Sequence, residues 1–266
     1  MGKKMKMIEV NGLRFSYGRG PVLDDVSFSV EKGALCGLFG PNGSGKTTLF
    51  KCCLKFLKTQ AGSVVMNGKD VGSLSVSEMA KIVSYVPQDH SPPFPFLVKE
   101  MVIMGRSPHL RGVFGVSRED KQKAYEAMER AGILELADRQ YNQLSGGQRQ
   151  MVLMARAIAQ ESPIMFLDEP TAALDFSNQM RIWRIMRDIV DSGVTILACS
   201  HDPNHVSWFC DDVIVMGQRS VIASGNPSDV INDRTLNLLY DESCVLSDFK
   251  GVPMVMPSTL FNGNIR

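Results

Sequence analysis

Two kinds of hydrophobic pattern run along this chain, and they fall in different places. Loose alternation over Ile8 to Phe15 and strict alternation over Val26-Ser27-Phe28-Ser29-Val30 predict strands with one face in a core and one in water. Gly62-Ser63-Val64-Val65-Met66-Asn67-Gly68 predicts another strand closing on an Asn-Gly turn, a hairpin signal. The N-terminal third therefore reads as largely antiparallel. The second kind is the short apolar run bounded by turn residues: Ala34–Phe39, Ile164–Leu167 and Val194–Cys199 predict strands buried on both faces. Val83–Val86 is a further short strand that stops at Pro87-Gln88.

Helical periodicity fills much of the rest. Thr48–Leu54 reads as a helix, and the block from about Val98 to Gln160 reads as helical throughout. Within it Ser117-Arg118-Glu119-Asp120 is a cap signal, Ala124, Ala127, Met128 and Ala131 follow at helical spacing, and Gly132 ends the run. Phe176–Asp191 is amphipathic, with Ile182, Ile185, Met186 and Ile189 on one face. Val213–Met216 and Ser220–Ala223 predict a final hairpin. Past Asn226 the pattern predicts a short helix near Asp229 to Tyr240 and then an irregular tail. Strands alternating with helices make the chain an α/β protein.

Several of these strands end at chemically capable residues. Ala34–Phe39 runs into Gly40-Pro41-Asn42-Gly43-Ser44-Gly45-Lys46-Thr47, and a helix follows. This is the spacing of a P-loop in its required setting of strand, glycine loop and helix. The glycines let backbone wrap closely around phosphate oxygens, and the helix N-terminus offers free N–H groups to the anion. Lys46 would reach the β- and γ-phosphates of a nucleotide, the Thr47 hydroxyl would bind Mg²⁺, and Thr48, which opens the helix, is counted with the nucleotide-binding residues. Ile164–Leu167 ends at Asp168-Glu169, where a carboxylate can hold Mg²⁺ and the next can accept a proton from an attacking water. Thr195–Cys199 ends at Ser200-His201-Asp202, and His201 reads either as a structural histidine or as a group that senses the γ-phosphate. Gln88 closes the list of strand ends as a residue able to position water or a metal-bound water. His90, His109 and His205 have no such setting and read as structural or surface residues.

Leu144-Ser145-Gly146-Gly147-Gln148 is locally a capping box, with Ser145 as cap and Gln148 three residues on. Two glycines in a first turn weaken a helix, and a cap does not need them. They fit a second helix N-terminus to which an anion comes close.

Bulk composition narrows the setting. With 266 residues and 44% hydrophobic content the chain suits one large domain or two small ones. Its 29 basic and 28 acidic residues give no electrostatic case for nucleic acid as a partner. Six scattered cysteines without a C-x-x-C pair signal neither zinc nor a disulfide framework. The basic N-terminus lacks the apolar segment of a signal peptide, and no apolar run is long enough to span a membrane.

GPNGSGKTT, LSGGQ, IMFLDEP and SHD in this order resemble the ATP-binding subunits of ABC transporters, over nearly the whole chain. The resemblance implies a RecA-like P-loop NTPase core with an antiparallel β-subdomain (1–97 and 161–225), an inserted helical subdomain (98–160) and a C-terminal extension (226–266). It implies a head-to-tail homodimer in which the P-loop of one copy and Ser145, Gly146, Gly147 and Gln148 of the other clamp one ATP. By motif position Tyr17 matches the aromatic residue that stacks on adenine, and Asp175 matches the loop that crosses the dimer interface. Tyr85-Val86-Pro87-Gln88, Pro92–Phe96 and Met104–Leu110 are more narrowly similar to the ATPases of ferric-siderophore, haem, vitamin B12 and molybdate importers. That implies a separate membrane permease dimer, a solute-binding protein, and a place on the cytoplasmic face of the cell membrane. Pro92–Phe96 then reads as docking surface for the permease, or as a rigid loop packed on its own domain. A soluble ATPase of the iron–sulfur cluster assembly type is the alternative.

Overall fold

The computed structural model describes residues 5–18, 20–88, 94–110, 115–172 and 174–260. The chain forms two compact units, one from 1–73 with 197–266 and one from 74–196.

In the first unit the alternating segments form an antiparallel sheet. Strand β1 (Lys6–Ser16) pairs with β2 (Pro21–Glu31) and with β4 (Ala61–Met66), and β5 (Lys69–Asp70) closes the hairpin beyond Asn67-Gly68. Both turn residues have positive φ, as a tight two-residue hairpin requires. Ile8 opposes Val30 and Val10 opposes Phe28, so the buried halves of both patterns meet on one face. The apolar strand β3 (Leu35–Phe39) is buried along its length and pairs in parallel with β9 (Asp212–Gly217). Strand order here is β10 (Ser220–Gly225), β9, β3 and β8 (Thr195–Ser200), the last beginning in the second unit and ending in the first. Helix α1 (Lys46–Cys53) follows β3.

The second unit holds the helical block. Its helices are α2 (Val76–Ile82), α3 (Val98–Ile103), α4 (Arg118–Arg130), α5 (Gly146–Ala159) and α6 (Phe176–Asp191). Strands β6 (Val83–Val86) and β7 (Ile164–Leu167) pair in parallel, with Val86 beside Leu167. The cap signal at Ser117 forms as expected: its hydroxyl accepts from Asp120 N, and Asp120 Oδ2 accepts from Ser117 N. Between α3 and α4 the motif residue Arg106 is buried. It bonds Asp120 (3.1 Å), the Ala159 carbonyl (2.7 Å) and Glu161 (2.7 Å), while Lys123 holds the other oxygen of Glu161 (2.9 Å). Neighbouring Gly105 has no room for a side chain, since a Cβ would stand 2.2 Å from the Arg156 carbonyl oxygen.

The expected irregular tail is a correction. The segment after Asn226 forms two helices, α8 (Pro227–Val230) and α9 (Asp233–Tyr240), then a hairpin of β11 (Cys244–Phe249) and β12 (Val252–Pro257). Lys250 and Gly251 both take positive φ at its turn, and Asp248 accepts from Gly251 N. The hairpin docks on α7 (Pro203–Phe209): the Asn204 amide donates to Val255 O and accepts from Val255 N, and the Trp208 indole donates to Pro253 O. Those partners lie some fifty residues away in sequence, so local pattern carried no trace of them. None of the six cysteines is in a disulfide, and five of them are buried. Burial pushes the Cys52 thiol up to about 11 and raises those of Cys36 and Cys53 as well. No helix among the described residues is long and apolar enough to cross a membrane.

Candidate functional site

In the first unit, the chain leaves β3 at Phe39 and wraps through Gly40–Gly45 into α1. Glycine is needed at two points for different reasons. A Cβ on Gly40 would stand 2.3 Å from the Met216 carbonyl oxygen, a backbone atom of neighbouring β9. Gly45, the residue before α1, has φ +102°, and its Cβ would meet Leu23 Cδ2 at 3.0 Å and Val22 O at 3.1 Å. Lys46 is buried, and its Nζ donates to Gly40 O (2.8 Å) and Pro41 O (3.1 Å), so the loop is gathered around its own ammonium. Ser44 is also buried, and its Oγ has no hydrogen-bond partner among the described residues. A buried hydroxyl left unpaired costs about 1–3 kcal/mol. A phosphate oxygen in the loop would supply what Ser44 lacks. Thr47 and Thr48 are half-buried in the first helical turn, Pro41 is half-buried, and Asn42 and Gly43 form the exposed rim.

His201 follows β8, the strand adjacent to β3, and is exposed. The turn beneath it is tightly built. Asp202 N donates to Ser200 Oγ (3.1 Å), and Asp202 Oδ1 caps α7 by accepting from Asn204 N (2.8 Å) and His205 N (3.3 Å). His205 is buried, and burial holds its imidazole below the ordinary histidine range against the nearby Asp202 carboxylate. Tyr17 is 61% exposed, with its ring edge-on to Phe15 at 4.8 Å. It is a supported aromatic face open to solvent.

In the second unit, β6 and β7 end side by side, so Gln88 and Asp168-Glu169 follow the same end of a parallel pair. Asp168 is 1% exposed. Its N–H donates to Val86 O (2.9 Å), and the Tyr85 hydroxyl donates to its Oδ2 (3.3 Å). Glu169 is half-buried with φ +48°, an unusual conformation for a residue with a Cβ. Such outliers cost about 1–3 kcal/mol and gather at functional sites. Gln88 is exposed at the strand end.

Helix α5 opens with the expected capping box between Ser145 and Gln148. Its two glycines differ. A Cβ on Gly147 would meet Asn178 Nδ2 at 3.1 Å, whereas one on Gly146 would meet nothing within 4 Å. Gly147 thus has a packing reason and Gly146 has none inside the chain. Asp175 caps α6: Oδ1 accepts from Asn178 N (2.9 Å) and Oδ2 from the Asn178 amide (2.7 Å), bonds that hold its carboxyl below the usual range. It therefore holds Asn178 behind Gly147.

Known proteins of similar sequence and structure indicate what these residues serve. The family model described as ABC transporter matches residues 23–172, more than half of the chain. The iron(3+)-hydroxamate import ATP-binding protein of Bacillus subtilis is 34% identical over 89% of this chain and 88% of its own. The cobalamin import ATP-binding protein of Halobacterium salinarum is 38% identical over 88% of this chain, which spans 58% of that longer relative. A solved ABC transporter described as metal-chelate type, in an inward-facing conformation, matches with TM-score 0.84 at 28% identity, over 96% of this chain and 100% of the other.

The chain belongs to the ABC transporter family.

It is an ATP-binding subunit of that family, an ATPase with a P-loop NTPase fold. Taken one at a time, the Thr47 hydroxyl of the first unit and the buried Asp168 carboxylate of the second are hard oxygen groups, the donor type that Mg²⁺ takes besides substrate phosphates. Of the importer-like stretch, Pro92 and Pro93 lie outside the described residues, as does His90. Phe94 is 64% exposed, while Phe96 is half-buried and its carbonyl accepts from Tyr141 N (2.9 Å). His109 sits 2.8 Å from the Gln160 carbonyl. Local pattern does not single out Tyr85 or Asn178. Tyr85 was legible in principle: it pairs in register with Phe166, which puts it on the same sheet face as Asp168 two residues on.

Proposed function

We propose that the ATPase powers import of a metal chelate or related solute through a separate membrane permease. Ferric siderophore, haem, cobalamin and molybdate are the solutes the sequence resemblance puts forward, and relatives of this chain are named for import of iron(3+)-hydroxamate, hemin and cobalamin. The observation that carries the nucleotide chemistry is the unpartnered Ser44 hydroxyl inside a glycine loop gathered on Lys46. In this reading Gly40–Thr48 bind the phosphates and Lys46 offsets their charge. Thr47, Gln88 and Asp168 hold Mg²⁺, which would stabilise charge on the phosphates when bound. Glu169 accepts the proton of the attacking water, His201 contacts the γ-phosphate, and Tyr17 stacks on adenine. Ser145, Gly146, Gly147 and Gln148 act in trans on the nucleotide of a second copy in a head-to-tail homodimer, with Asp175 at that interface. The open backbone at Gly146 supports this. The core comprises 1–97 and 161–225, the helical insertion 98–160 and the extension 226–266. The subunit sits at the cytoplasmic face of the membrane on its permease dimer, with a separate solute-binding protein and no nucleic acid. The test is affinity purification of the chain from its native cells in mild detergent, followed by mass spectrometry. A polytopic membrane protein in equal amount is expected. Soluble partners alone, with the chain absent from membranes, would refute import and leave the ATPase.

A further inference from the structure

We infer that Tyr85 is a positioning residue for the metal site: its hydroxyl orients the Asp168 carboxylate that receives Mg²⁺. The inference rests on the proposed role of Asp168. The placement comes from strand register. Tyr85 stands beside Phe166 on the parallel neighbour strand, so both side chains leave the same face as Asp168, two residues beyond Phe166. Side chains in strands lean along the strand direction, and a tyrosine is long enough to span that diagonal. Its O–H reaches Oδ2 at 3.3 Å. From the other side Asp168 N is tied to Val86 O, the residue after Tyr85. Two successive residues of β6 thus grip Asp168, one at its backbone and one at its side chain.

The chemistry of the pair follows. A phenol donating to one oxygen of a carboxylate leaves the group's remaining lone pairs for a hard cation. It also restricts rotation of a group whose terminal torsion is otherwise broad. Hydroxyl partners behind metal-binding carboxylates typically carry a tenfold or larger share of metal affinity. Tyr85 lies three residues before Gln88, so displacement of the segment carrying Gln88 would pass through one short strand to the grip on Asp168.

The test uses the full chain, a non-hydrolysable ATP analogue, and Mn²⁺ as the metal probe. Nucleotide affinity is measured in EDTA and again in Mn²⁺, and the ratio gives the gain due to metal. Tyr85→Phe keeps the ring and removes the hydroxyl. It is expected to bind nucleotide like wild type in EDTA, to melt like wild type, and to lose about 10-fold of the Mn²⁺ gain. Asp168→Asn, run alongside, should lose most of the gain. If Tyr85→Phe keeps the full gain while Asp168→Asn loses it, the Tyr85 inference is overturned and the Asp168 role stands. If Asp168→Asn also keeps the gain, the metal role of Asp168 fails and the inference falls with it. Equal weakening of Tyr85→Phe in EDTA and in Mn²⁺ would overturn the inference too, because the hydroxyl would then act on the fold rather than the metal.

Discussion

Alanine at three P-loop glycines should give a graded series, because the backbone and the space differ at each. At Gly43, φ is +82° and a Cβ would meet nothing within 4 Å. Gly43→Ala therefore bears only backbone strain, about 1–2 kcal/mol for an L-residue in the left-handed region. At Gly45, φ is +102° and the new methyl would also press on Leu23 Cδ2 at 3.0 Å and Val22 O at 3.1 Å. Leu23 can give by a few tenths of an ångström and the Val22 carbonyl less easily, so about 2–3 kcal/mol is expected. At Gly40 the methyl would stand 2.3 Å from Met216 O, and Met216 is bonded in register with Val221. Neither strand can step aside, so Gly40→Ala should cost about 3 kcal/mol or more. The assay is urea unfolding followed by fluorescence. The chain has two tryptophans, Trp183 in the second unit and Trp208 in the first, so a Trp183→Phe background reports the unit that holds the loop. In the same proteins ATP affinity is measured by titration. Gly43→Ala should lose the least stability of the three yet bind ATP worse, because in the proposed reading the space its methyl enters is that of the phosphates. Equal stability losses at all three positions, or a Gly40→Ala protein as stable as wild type, would refute the steric reasoning. Unchanged ATP affinity in Gly43→Ala would count against the loop as the phosphate cradle.

Other expectations rest on single residues. Glu169→Gln should lower ATP turnover by about 10²–10⁴-fold while nucleotide still binds, and near-normal hydrolysis would reject Glu169 as the general base. Arg106→Ala takes the only cationic partner among the described residues from the buried Asp120 carboxylate, which keeps Ser117, and leaves Glu161 to Lys123, so the second unit should lose about 3 kcal/mol, read from Trp183 in a Trp208→Phe background. A loss below the error of urea unfolding would show the network to be dispensable. The pH dependence has a definite sign. The Ser117 hydroxyl first, and then Arg106, hold Asp120 below the ordinary carboxylate range. A group whose folded pKa is depressed adds stability above its unfolded value, about 3.9, and that stability disappears as pH falls further. Acid unfolding of the second unit should therefore begin near pH 4, and Asp120→Asn should flatten it. An unaltered acid profile in that variant would contradict the assignment.

What the chain's linear pattern determined, and what folding alone decided, divide along the range of the forces involved. Hydrophobic period and turn chemistry act over a few residues. The alternating β1 and β2, the wholly buried β3, β7 and β8, the Ser117 and Ser145 caps and the amphipathic α6 were therefore legible in advance. So was each chemical residue at a strand end, because strand, loop and residue are contiguous. Tertiary structure decided whatever depends on which segments meet. Gly40 is compulsory because of Met216, far along the chain; Gly147 is backed by Asn178, and Tyr85 grips Asp168 only through strand register. The last case is the C-terminal hairpin. Its strands carry no clear alternation, and much of their anchoring comes from Asn204 and Trp208, reached only once α7 is in place. Backbone hydrogen bonds must find partners wherever they are buried, and the identity of a distant partner is a property of the fold.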